Sequence, residues 1–151
     1  LTFCFIGAAT IVASACSNVN RTLVDRSLEH QFLEAKSSLS FQEAFPGADV
    51  QFVCILDEFT SSRGTLRNLR LTGRTAEVEY LSDVDQVPEE MIGILVVESD
   101  GARMHLLDTW RVKLALTSQD CADYAGQFEQ DSEGVWMVGG NAFRSYEMES
   151  E

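Results

Sequence analysis

The chain has 151 residues, 45% of them hydrophobic, and a formal net charge of −13 at neutral pH. That balance excludes nucleic acid as an expected partner, because phosphate binding needs clustered Lys and Arg, and lysine occurs only as Lys36 and Lys113. Every charged residue lies after position 20, so the acidic excess belongs to residues 16–151, which make one domain's worth of chain with enough length to bury a core.

The first sixteen residues carry no charge. An apolar run gives way to small residues and then to Cys16, followed by the polar Ser17 and Asn18. The apolar core is shorter than the roughly 20 residues of a membrane span, and small residues before a cut site are the mark of an export signal. With Val12-Ala13-Ser14-Ala15-Cys16 as a lipobox, the segment resembles a bacterial lipoprotein signal, with Ala13 where leucine is usual. The resemblance implies cleavage before Cys16, lipidation of Cys16 and a cell-envelope address facing the periplasm; ordinary secretion and a structural or anchoring helix are the alternatives. Ser17 in place of aspartate favours the outer membrane by the enterobacterial sorting pattern. Because Leu1 is preceded by neither Met nor a basic segment, the signal over residues 1–15 is expected to be truncated at its start.

Residues 16–20 are the expected lipidated cysteine and tether. Asn20 is the expected N-cap of a helix over residues 21–36, with Leu23, Val24, Leu28, Phe32 and Ala35 on one face. Pro46-Gly47 is a turn. Residues 50–59 form the strongest strand, with Val50, Phe52, Cys54 and Leu56 on one face and Val53 and Ile55 on the other, so it is expected to be central and covered twice. Residues 60–71 read as a helix capped by Ser61 or Ser62 and ended by Gly73, with a hairpin turning at Thr72-Gly73 as the competing reading.

Residues 74–81 alternate as a strand, and residues 82–90 are an acidic loop. Residues 92–109 read as a hairpin turning at Asp100-Gly101, the pair a type I′ turn prefers. That turn places Glu98 opposite Arg103 and Val96 opposite His105, with Leu95, Val97, Met104 and Leu106 on the core side. A strand over residues 112–116 follows, then a helix over residues 119–128 capped by Thr117-Ser118 with Cys121 in its first turn. Residues 135–138 form a last strand, and residues 141–151 a polar tail. The order predicts a single α+β domain over residues 21–140, a mainly antiparallel sheet with an N-terminal helix and one or two further helices packed on it. In pattern, residues 45–138 also resemble small bacterial lipoproteins of no known activity.

With Cys4 removed by cleavage and Cys16 lipidated, Cys54 and Cys121 remain to form a disulfide in an oxidising compartment. Two buried thiols is the plainer alternative. His30 falls on a solvated helix face beside Arg26 and Glu34, and His105 sits in the hairpin. No His-Glu-x-x-His, Gly-x-Ser-x-Gly or Ser-x-x-Lys motif occurs. Arg63, Arg67 and Arg70 share one helix face, a possible contact for an anion or partner, although pairing with the chain's own acids is the simpler role. Asp83, Asp85, Glu89 and Glu90 lack the spacing of a calcium loop, and no catalytic residue, metal or cofactor is assigned. The expected function is binding: a lipid-anchored accessory or assembly protein that contacts the membrane and an envelope protein. The alternatives are a small periplasmic enzyme using His105 or Cys121, and an inhibitor or immunity-type protein with an acidic docking surface.

Overall fold

The computed structural model describes residues 23–115 and 120–145. The signal, Cys16, the Asn20 cap, Thr117-Ser118 and residues 146–151 lie outside the described residues. The elements are α1 (Arg26–Glu34), β1 (Ser38–Ser40), α2 (Phe41–Ala44), β2 (Val50–Leu56), α3 (Ser62–Leu71), β3 (Met91–Glu98), β4 (Ala102–Asp108), β5 (Cys121–Asp123), β6 (Gln127–Gln130), β7 (Trp136–Gly139) and β8 (Ala142–Phe143). They form two antiparallel sheets: a five-stranded one in the order β4-β3-β2-β5-β8 and a three-stranded one in the order β1-β6-β7. The fold is α+β with antiparallel sheet dominant.

Strand β2 lies between β3 and β5 and is apolar on both faces, so both must be covered. On one side Val53 and Ile55 meet Leu28 and Phe32 of α1, Phe41 of α2, and Phe128 and Trp136 of the smaller sheet. The Phe32 ring packs edge-on against Phe128 and Trp136, with centroids 4.8 and 5.3 Å apart. On the other side Cys54 and Leu56 meet Leu66 and Leu69 of α3, together with Val87, Leu95, Val97 and Leu106. The result is three layers. Val50 departs from the expected alternation, because the β2–β3 register shifts between Val50 and Phe52 and turns Val50 to the Val53 side.

Helix α1 begins at Arg26, later than expected, because Asp25 caps it by accepting from the Leu28 N–H at 3.0 Å. Leu23 is exposed rather than part of the apolar face. Helix α3 matches its expected span. Ser61 caps it through the Gly64 N–H at 3.0 Å, and Gly73 ends it at φ +75°.

The hairpin β3–β4 keeps its expected core face but not its register. Val97 pairs with Ala102, Val96 with Arg103 and Ile94 with His105, a shift of two that leaves every side chain on its face. Neither Asp100 nor Gly101 has a positive φ, so the turn is not type I′. The glycine serves close approach instead. Leu81 donates to the Ala102 carbonyl and Ala102 to the Glu79 carbonyl, each at 2.8 Å, and a Cβ on Gly101 would come within 2.4 Å of Leu81. That crossing is also why residues 74–81 are not a strand: only Tyr80 pairs, with Ala102.

The expected strand over residues 112–116 is likewise reduced to one pair, Leu114 with Trp136. The expected helix over residues 119–128 is replaced by β5 and β6, and β8 occupies part of the expected tail. The physical reason is the bond at Cys121, which lies directly opposite Cys54 in the β2–β5 ladder with Cα atoms 4.0 Å apart. Cys54 and Cys121 are joined as a disulfide, both fully buried.

Two outcomes follow. Reduction, or the double variant Cys54→Ala/Cys121→Ala, should lower unfolding free energy by up to about 4 kcal/mol by loop-closure entropy, read as a lower urea midpoint; an unchanged midpoint would refute this. Gly126→Ala should cost about 1–3 kcal/mol, read as a lower Tm, because its Cβ would lie 2.7 Å from the Gly139 carbonyl and 2.8 Å from Ala122.

Candidate functional site

Three places hold the side chains that carry chemistry. The first is an open groove of about 390 Å³ beside the edge strand β4, lined by Asp25, Phe45, Pro46, Glu98, Arg103 and His105 among others. Alternation along β4 puts Arg103 and His105 on the same face, and the N-terminus of α1 brings Asp25 across to meet them. The His105 Nδ1 lies 2.8 Å from Asp25 Oδ2. An ionised carboxylate only accepts, so Nδ1 donates. The Phe45 ring packs 5.0 Å from the imidazole, centroid to centroid. Arg103 reaches Glu98 at 3.1 Å, forming the expected ion pair as a diagonal neighbour rather than a direct one.

A helix starting at Arg21 hides Asp25 inside its first turns, so that reading does not mark it as a site residue. The signal available in the sequence was the capping pattern, an aspartate just before Arg26-Ser27-Leu28. Its carboxyl is held below the ordinary value, first by the His105 hydrogen bond and then by the Leu28 and Ser27 N–H groups, against an opposing effect of burial.

The second place is the outer face of α3. Arg63, Arg67 and Arg70 do share it, and with Leu66, Ala76, Glu77 and Val78 they line a cleft of about 190 Å³. Arg70 pairs with Glu77 at 3.2 Å, and the Arg63 guanidinium lies 5.2 Å from the centre of the Tyr80 ring. Arg74 leaves the cleft and stacks on Phe143 at 4.1 Å. The neighbouring acidic loop is structural at Asp85, which accepts from the Arg63 N–H at 2.9 Å and the Ser61 hydroxyl at 3.0 Å. The Arg63 N–H is the main reason its carboxyl sits below the ordinary value. Among the described residues no three His, Cys, Asp or Glu side chains gather as a metal site.

The third place is the disulfide. Cys121 was an alternative nucleophile; its sulfur is bonded to Cys54, which removes the thiol from that role. The remaining histidine, His30, lies on the exposed face of α1, 3.2 Å from Glu34.

The depressed Asp25 carboxyl makes a signed prediction. Its stabilising contribution is fully present above the unfolded value of about 4 and is lost as pH falls through the lower folded value. The urea midpoint of the wild-type chain should therefore fall below pH 4 more steeply than that of Asp25→Asn. His105→Ala should return the Asp25 titration, followed by carboxyl NMR, toward the ordinary value; an unmoved titration would refute the pairing. No known protein family, curated protein or solved structure matches this chain.

Proposed function

We propose that this chain is a lipid-anchored envelope protein that works by binding, in an accessory or assembly role, with the domain facing the periplasm and the lipid on Cys16. The observation that carries the exported address is the Cys54–Cys121 bond. It ties β2 to β5 at the centre of the larger sheet, and both cysteines are fully buried. Structural disulfides persist in oxidising compartments and are rare in the reducing cytosol. The lipobox-like run before Cys16 supports the same address from an independent part of the chain. Binding is supported by the open groove beside β4, a concave and mainly polar site where an aromatic ring, a carboxylate, a guanidinium and an imidazole surround a volume of about 390 Å³.

A second reading rests on the same groove. The Asp25–His105 bond of 2.8 Å orients an imidazole as a carboxylate orients a general base. A small periplasmic enzyme using His105 is the activity that this pair supports.

Intact mass of the protein from the membrane fraction, expressed with its complete signal, tests the address. A diacyl or triacyl mass on a chain that starts at Cys16, with Cys54 and Cys121 alkylated only after reduction, is expected. A mass that retains residues 1–15, with both thiols freely alkylated, would overturn the export and lipidation together.

A further inference from the structure

The turn after β4 holds out the most exposed large apolar side chain among the described residues. Trp110 is 78% exposed, whereas tryptophan is on average a largely buried residue. The turn that carries it is tightly bonded. Thr109 donates its N–H and its hydroxyl to the Glu90 carbonyl at 3.3 and 2.8 Å. The Trp110 N–H goes to the Asp108 carboxylate at 2.9 Å, and the Arg111 and Val112 N–H groups go to the Asp108 carbonyl at 3.1 and 3.2 Å. Val112, just beyond, is buried in the core. The indole is thus presented on a fixed pedestal.

Two clefts flank it. One, of about 280 Å³, is lined by Trp110, Leu33 of α1 and Lys113; the other, of about 230 Å³, by Trp110, Arg26, Asp108 and Arg111. Leu33 is itself 54% exposed. Charge is locally balanced. Arg26 and Arg111 straddle the buried Glu29 at 3.0 and 3.5 Å, and Asp108, Lys113 and Glu133 complete the set. This face is close to neutral on a chain whose net charge is −13.

The first described residues run beside β4, parallel to it at Leu106. The Asp25 N–H donates to the Leu106 carbonyl at 2.9 Å, four residues before Trp110, and Arg26 both opens α1 and lines a Trp110 cleft. Cys16 precedes Leu23 by seven residues. A chain that long spans about 15 Å on average and about 25 Å at full extension, less than the roughly 35 Å diameter of a domain of this size. A lipid on Cys16 therefore keeps the β4 edge of the domain, which the Trp110 turn ends, close to the bilayer.

We propose that the Trp110–Leu33 face is the membrane-seated face of the protein, resting in the headgroup zone of the bilayer that holds Cys16. The proposal deepens the lipid-anchored reading and rests on it. An indole is amphipathic and favours the membrane–water boundary, and a lipid chain gains from a second weak contact. The near-neutral face meets the headgroups, and the acidic remainder of the domain is held away from them.

The test uses the full lipidated chain in phosphatidylcholine vesicles with and without brominated acyl chains, with intact mass recorded on the same sample. The chain has two tryptophans, and Trp136 is buried, so the emission lost in Trp110→Ser belongs to Trp110. Trp110 is exposed, so that variant keeps the fold. Trp110 emission should be blue-shifted and quenched by brominated lipid, and Trp110→Ser should lose that quenching. A lipidated chain whose Trp110 emission stays red-shifted, insensitive to brominated lipid and open to aqueous acrylamide overturns this proposal alone. A mass without lipid overturns the anchored reading and this proposal together.

Discussion

Strand β2 is hydrogen-bonded along both edges and buried on both faces, and the other layers are arranged by that requirement. Val53 and Ile55 need a cover on one side, and Cys54 and Leu56 need one on the other. Each cover combines the helix next to β2 in the chain with segments farther away. The first is assembled from α1, α2 and the smaller sheet, the second from α3 and the residues that follow it. Apolar burial of this kind is the dominant favourable contribution to folding. The disulfide adds to it by joining two positions that are already opposed in the ladder, so it constrains the unfolded chain without requiring the sheet to move.

The opposite edge of the larger sheet is where the surfaces for recognition lie. Strand β4 is an edge strand, and exposed edges have unpaired backbone groups that proteins cover or blunt. Here the covering is piecemeal: Val24 pairs with Leu106, and Tyr80 pairs with Ala102. Asp25 then closes onto His105, so one carboxylate caps a helix and fixes an imidazole. The groove and the Trp110 turn both arise because the edge is covered by short segments rather than by a continuous strand. Such sites combine a rigid frame with exposed side chains, as recognition on loops generally requires.

The acidic composition is partly consumed inside the fold. Asp25 and Asp85 cap helices, Glu29 is buried between two arginines, and Asp120 accepts from the Ser145 N–H and hydroxyl at 2.8 and 2.6 Å. Buried carboxylates without partners would be costly, and among the described residues each buried side-chain nitrogen or oxygen has a hydrogen-bond partner. A chain can therefore be strongly acidic and still present a near-neutral face, because charge pairing is settled by position rather than by composition.

What was legible in the sequence was whatever depends on neighbours a few residues apart. The doubly apolar period of β2, the Ser61 cap and Gly73 stop of α3, and the core face of the β3–β4 hairpin follow from alternation, helical spacing and capping chemistry. The α+β class follows from their order. Contacts between distant segments decided the rest. Ser-Gln-Asp-Cys looks like a helix start, yet Cys121 is drawn into a strand because its partner Cys54 lies in one. Asp100-Gly101 looks like a type I′ turn, yet Gly101 is needed for the close approach of Leu81. The Asp25–His105 pair spans 80 residues, and the exposure of Trp110 depends on how α1 crosses the end of β4. Local pattern reports which side chains want burial or a cap, while the partner that satisfies them is chosen by packing across the whole chain.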